Sequence, residues 1–95
     1  MIVYRIDIPP HIAEVIGGLP PDVKKSVRCA LNALRGDPGI GLPLVRELKG
    51  LWKYRVRRFR IVYVVDSARR VIRIFAVGHR STIYEDALKL LRPGR

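Results

Sequence analysis

The run Lys53-Tyr54-Arg55-Val56-Arg57-Arg58-Phe59-Arg60-Ile61-Val62-Tyr63 alternates cations with aromatic and β-branched residues at a period of two. That period sends the two classes to opposite faces of a sheet, so one set can build a core while the other gathers charge on a surface. A hairpin turning at Arg57-Arg58 sets Val56 against Phe59, Tyr54 against Ile61 and Trp52 against Tyr63 on the apolar side. On the other side it sets Arg55 against Arg60, with Lys53 one step along. Like charges directly across a ladder repel, and an anion such as phosphate between them relieves the repulsion. The run is therefore read as a phosphate-binding face drawing on Lys53, Arg55, Arg57, Arg58 and Arg60. A merely solvated strand face is the plainer reading of the same pattern. A two-residue loop needs positive φ, which favours Gly, Asn or Asp. With Arg-Arg in that place, a longer type I loop that shifts the register is the alternative.

The chain has 95 residues, enough for one domain with a single core. Its net charge of +11 calls for an acidic partner: nucleic acid, an acidic protein or an anionic membrane. The membrane is the weakest of the three, because no apolar run approaches the ~20 residues needed to span a bilayer. Met1 runs directly into the strand-like Ile2-Val3-Tyr4, without the basic, apolar and small-residue regions of a signal peptide, so a cytoplasmic protein is expected. Cys29 is the sole cysteine, which excludes an intramolecular disulfide and a cysteine metal cage. It lies in a helical pattern with no activating neighbour and reads as structural. His11 and His79 lack the spacing of a helical metal pair, and no metal or other cofactor is expected.

Ile2 to Ile8 alternates as a first strand, ended by Pro9-Pro10. Ile12, Val15, Ile16 and Leu19 then recur at helical spacing up to Gly17-Gly18. A second helix opens at Pro20-Pro21-Asp22, carries the stripe Val23, Val27, Ala30, Leu31 and Leu34, and is expected to cap at Gly36. Residues 37–43 read as a loop, without the spacing of a P-loop. Leu44 to Leu48 is expected as a short strand ahead of the hairpin, with a turn at residues 66–70. Val71 to Val77 is nearly continuous apolar sequence, as in a central strand buried on both faces. Ser81 or Thr82 can cap a last helix, with Glu85 as the capping-box acid for Thr82. The order β-α-α-β-β-β-β-α describes an α+β domain, an αα-hairpin packed on a mainly antiparallel sheet with a C-terminal helix.

In this order, Leu48-Lys49-Gly50-Leu51-Trp52-Lys53-Tyr54-Arg55-Val56, Phe59-Arg60-Ile61-Val62-Tyr63 and Val77-Gly78-His79-Arg80 before Ile83-Tyr84 resemble the RelE/ParE superfamily of toxins from toxin–antitoxin pairs. The Leu-Pro-Pro-Asp opening of the second helix is also typical of it. The likeness runs from the first strand to the last helix and implies one RelE-like toxin domain over residues 1–95. It is closest to the RelE branch, whose members cut messenger RNA in the ribosomal A site. The resemblance implies an endoribonuclease that needs no metal, in which the 2′-OH attacks the adjacent phosphorus to leave a 2′,3′-cyclic phosphate.

Carried over residue by residue, Arg55 stands at the place of a family lysine and Arg57 at that of a second basic residue. Arg60 and Arg80 match family arginines, and Tyr84 matches the tyrosine of the following segment. Arginine at Arg55 and Arg57 is a poor proton shuttle, and the step from Arg80 to Tyr84 is shorter than in the best-known branch. Arg60 and Arg80 are the expected phosphorane stabilisers, since a guanidinium forks onto two phosphate oxygens. Tyr84 is the expected base, because adjacent positive charge favours a phenolate. His79 is the runner-up, although strand alternation turns it away from Arg80. Trp52, Tyr54 and Tyr63 read as core, with a base-stacking role for any ring left exposed. The implied partners are an acidic antitoxin, mRNA on the ribosome with ribosomal RNA contacts, and operator DNA through the antitoxin complex. Two rivals are kept: a ParE-like inhibitor of DNA gyrase without RNase activity, and a catalytically silent module that binds antitoxin and operator.

Overall fold

Val23, Val27, Ala30 and Leu34 form the buried side of a 16-residue helix in the computed structural model, which describes residues 3–91. The elements in chain order are β1 (Arg5–Asp7), α1 (Pro10–Gly17), α2 (Pro21–Gly36), β2 (Leu42–Pro43), β3 (Trp52–Val56), β4 (Phe59–Asp66), β5 (Val71–His79) and α3 (Ile83–Leu91). Proline opens both α1 and α2, where its missing N–H is no loss and its φ is already helical. The strands make one sheet in the order β1-β5-β4-β3-β2, with β1 parallel to β5 and the other pairs antiparallel. This is the α+β architecture the sequence implies.

The two helices of the αα-hairpin cover one sheet face. There Val27 and Leu34 meet Val56, Ile61, Tyr63, Ile72, Ile74 and Val77 in the main core. A smaller core of Leu51, Val62, Ala76 and Ile83 lies under α3 on the other face. Strict alternation would not let both Ile74 and Val77 face the helices. A bulge resolves the conflict: Val62 pairs with Ala76 and Tyr63 with Ile74, which leaves Phe75 as the extra residue.

The β3–β4 hairpin takes the two-residue loop, with Val56 paired to Phe59, Tyr54 to Ile61, Trp52 to Tyr63 and Arg55 to Arg60. Of the two loop residues only Arg57 has positive φ, at 57°, the sign pattern of a type II′ turn. The expected strand over Leu44–Leu48 is not formed. Arg46 has φ 58° and the Leu48 N–H donates to Val45 O, which closes a 3₁₀ turn over Arg46–Leu48, and the edge strand is Leu42–Pro43 instead. The first strand is shorter than Ile2–Ile8, because the Tyr4 N–H turns to Arg35 O rather than to the sheet; Ile2 lies outside the described residues. Gly36 is the last residue of α2 and Asp37 its cap, with the Asp37 N–H on Ala33 O. At α3, Thr82 O accepts the Asp86 N–H. Cys29 is exposed on α2 rather than packed.

Tyr63 ties the loop before β2 to the sheet. Fully buried and stacked on Trp52 with 6.2 Å between ring centroids, it donates its hydroxyl to Pro38 O at 2.7 Å. Gly41 passes so close that a Cβ there would overlap Tyr63 Oη and Lys53 O. Burial pushes the Tyr63 phenol up to about 12. A free tyrosine ionises near 10, so between about pH 10 and 12 the unfolded chain gives up a proton the native state keeps, and stability falls as pH rises. We predict that Tyr63→Phe lowers stability by about 1 kcal/mol at neutral pH, through the lost hydrogen bond. It should also shrink the alkaline loss of stability in urea melts across that window. An unchanged alkaline slope would exclude Tyr63 as its source.

Candidate nucleic-acid interface

The hairpin register builds a basic face one row at a time. Arg55 is opposite Arg60, and Arg60 opposite Gly78; in the next row Leu42 is opposite Lys53, Lys53 opposite Val62, and Val62 opposite Ala76. Paired residues share a face, so Lys53, Arg55 and Arg60 all stand on the α3 side, away from the helical hairpin. With Ile40, Gly41, Leu42 and Tyr54 they line an open cleft of about 420 Å³. The Arg80 N–H donates to Arg58 O at 2.7 Å, which sets these two arginines side by side at the turn end of the same sheet.

The turn holds the Arg60 guanidinium in place. Its Nη1 donates to Arg57 O at 3.1 Å and to Phe59 O at 2.8 Å. Both Nη1 hydrogens are thereby engaged, which leaves Nε and Nη2 as the two-pronged donor for a further partner. Gly78 positions the tyrosine. A Cβ on Gly78 would come within 3.0 Å of Ile83 Cδ1, so the missing side chain admits Ile83 and lets α3 start directly above the sheet. Tyr84, the next residue, packs with the smaller core, and Lys53 Nζ lies 5.6 Å from its ring centroid in a cation–π contact.

Two residues of the sequence reading stand elsewhere. His79 pairs with Phe59 and meets its ring edge-on at 5.7 Å between centroids, on the face of the helical hairpin. Its Nδ1 accepts the Ser81 N–H at 3.2 Å, which assigns the ring proton to Nε2 in the neutral form. The fold does not bring His79 together with Tyr84 and Lys53. Arg57 is engaged as well: its Nη1 donates to Asp22 Oδ2 at 2.7 Å, joining the hairpin turn to the first turn of α2. That hydrogen bond, helped by the Val23 amide, holds the Asp22 carboxyl below its usual range. What sequence reasoning missed is the apolar flank of the cleft. Ile40 and Leu42 lay in a stretch that carried only turn signals, and a two-residue strand has no period to detect.

Comparison with known proteins decides the family. A family model described as ParE toxin of type II toxin–antitoxin system, parDE, matches residues 7–84. The chain belongs to this family. Toxin RelG of Mycobacterium tuberculosis is 35% identical to it over 68 residues, which span 70% of this chain and 78% of RelG. The RelBE2 toxin–antitoxin complex of M. tuberculosis contains a chain that is 29% identical and matches with a TM-score of 0.73, covering 82% of this toxin and 99% of that chain. A mutant of E. coli toxin RelE in the free state shares the fold at a TM-score of 0.74 and 22% identity, covering 95% of this toxin and 99% of RelE. The protein is thus a type II toxin of the RelE/ParE superfamily, as the motifs around Lys53–Tyr63 and Val77–Tyr84 imply.

The turn at Arg57 gives a test independent of activity. A left-handed backbone costs a non-glycine residue about 1 kcal/mol. Arg57→Ala and Arg57→Gly both remove the pair with Asp22, but only glycine relieves the backbone. The glycine variant is expected to be more stable than the alanine variant by about 1 kcal/mol in denaturant melts. Equal stabilities would mean that the turn is not strained.

Proposed function

We propose that this toxin is an endoribonuclease that cleaves mRNA in the ribosomal A site. The observation that supports this best is the convergence of Lys53, Arg55 and Arg60 on one open face beside Tyr84. In the reaction the 2′-OH loses its proton and its oxygen attacks the adjacent phosphorus. The bond to the 5′-oxygen of the next nucleotide breaks, and that oxygen takes a proton. Products are a 2′,3′-cyclic phosphate and a 5′-OH, with no water consumed and no metal required.

Arg60 meets the developing charge on the phosphorane oxygens through its Nε and Nη2 donors. Because the turn carbonyls already fix the guanidinium, little reorganisation is needed as the charge grows. Arg80, beside Arg58 at the turn, supplies the second cation, and Arg55 neutralises the phosphate shared with Arg60. Tyr84 is the candidate base, held by α3 and by the Lys53 ammonium above its ring. His79 is disfavoured for that task by its place on the opposite face. Lys53 and Arg58 extend the path for the RNA backbone. The partner that restrains the toxin is an acidic antitoxin, a reading supported by the charge of +11 and by the toxin–antitoxin complex in which the RelBE2 relative was solved. Among the described residues no helix is long and apolar enough to cross a membrane.

Arg60→Ala and Arg80→Ala are expected to abolish growth arrest while the protein stays folded, each losing about 3–4 kcal/mol of transition-state stabilisation. Arg60→Ala removes one of two facing like charges but also the hydrogen bonds to the Arg57 and Phe59 carbonyls, so the two effects offset and the melting temperature should change little. Mapping of mRNA 5′ ends on translating ribosomes, run beside a gyrase supercoiling assay, checks this. Cleavage by both folded variants would refute the assignment, and gyrase inhibition without cleavage would move the toxin to the other branch.

Tyr84→Phe keeps the ring and its packing but removes the hydroxyl. Single-turnover cleavage should slow by about 10²-fold or more if that oxygen moves a proton. A fully active Tyr84→Phe variant would remove Tyr84 from the chemistry.

A further inference from the structure

We propose that Ile40 and Leu42 form the wall of a nucleobase subsite, in which the base of a nucleotide next to the scissile phosphate packs while its phosphates lie on Arg55, Arg60 and Lys53. The proposal rests on the RNase reading of this face and extends it from phosphate contacts to base contacts.

Three observations carry it. First, Leu42 and Ile40 are among the exposed large apolar residues, at 61% and 40%, yet both line the same cleft as the three cations. Leu42 pairs directly with Lys53, so its side chain stands on the basic face rather than on the core side. An apolar surface set against cations, with no carboxylate among the described residues that line the cleft, fits a ligand that is anionic at one end and flat and apolar at the other. A nucleotide in a single strand has that chemistry.

Second, the wall is held rigidly. Pro38 O accepts the buried Tyr63 hydroxyl, Asp37 Oδ1 accepts the Gly39 N–H at 3.0 Å, and Gly41 is pressed against Tyr63 and Lys53 O. A short strand on such anchors loses little freedom when a base settles on it. Third, the spacing suits a nucleic-acid strand. Lys53 and Arg55 are two residues apart on β3, about 6.7 Å along the strand, close to the step between successive phosphates, and the Leu42 wall flanks the Lys53 end of that step.

The wall has no hydrogen-bonding side chain and reads a base by its ring face and size rather than by its edge. It therefore contributes sequence-tolerant affinity with a preference for the larger ring. The test uses single-stranded 2′-O-methyl RNA hexamers, which lack the attacking hydroxyl and report binding alone, together with hexamers of the same phosphate count carrying abasic sites. Fluorescence anisotropy at fixed salt gives Kd for the isolated toxin and for Leu42→Ser, Ile40→Ser and Leu42→Trp. The toxin should bind the base-bearing strand about 5-fold more tightly than the abasic one, a difference that the apolar area of one ring face supplies. Each serine variant should reduce that preference while leaving abasic binding unchanged. Leu42→Trp should increase it, which guards against a serine variant that merely loosens the loop.

Equal binding of the two hexamers by the toxin would overturn the subsite, leaving the wall as a surface for a protein partner. A serine variant that weakens both hexamers alike would overturn it too. Failure of the RNase reading shows separately, as absence of cleavage on ribosomes, whatever the hexamers do.

Discussion

The register of the β3–β4 hairpin is the constraint on which the rest of the toxin depends. Side chains alternate with period two, so a slip of β3 by one residue against β4 would send Trp52, Tyr54 and Val56 to solvent and turn Lys53 and Arg55 into the core. Burying each large apolar side chain is worth about 1.5–3 kcal/mol, whereas facing like charges oppose the pair by at most about 1 kcal/mol. The apolar face therefore wins and Arg55 is held opposite Arg60 despite their repulsion. Arg57 assists from the turn, adopting positive φ while its guanidinium reaches Asp22 on α2. Core packing on one side of the hairpin thus maintains a repulsive charge array on the other.

That division explains what was legible in the sequence. The hairpin pairs, the α2 stripe and the last helix all follow from periodicity, a local signal that survives into the fold. The bulge at Phe75 does not, because it arises where β5 must give both Ile74 and Val77 to the helices, a demand set by packing rather than by the strand itself. The edge strand Leu42–Pro43 was equally hidden: it pairs with β3, and the loop leading into it is tied down by the hydroxyl of Tyr63, which reaches back 25 residues to Pro38 O. Leu44–Leu48, expected as a short strand, forms a turn through the left-handed backbone of Arg46.

The candidate site was legible in part for the same reason. Lys53, Arg55 and Arg60 lie in regular strand, where alternation predicts their shared face. Arg57 sits in the turn, where alternation no longer applies, and points to an acid 35 positions earlier in the chain. His79 follows the rule and is carried to the face opposite Tyr84. The tyrosine itself depends on a feature outside any period, the missing side chain of Gly78 that seats Ile83 and so fixes where α3 begins.

Charge distribution completes the account. The chain has 19 lysines and arginines against 8 acids, and the ion pairs among the described residues, Arg57–Asp22 and Arg73–Asp7, both lie away from the cleft. Among the described residues no carboxylate lines the cleft, so the positive charge of Lys53, Arg55 and Arg60 is not answered by an acid there. Arg60 differs from the others in being held before any ligand arrives: the carbonyls of Arg57 and Phe59 hold Nη1 and leave Nε and Nη2 to donate elsewhere. A side chain already ordered by the fold gives up less entropy on binding than a free arginine, which loses roughly 0.5–1.5 kcal/mol when immobilised. The same turn that sets the register of the core therefore also sets the aim of the cation best placed to meet a phosphate.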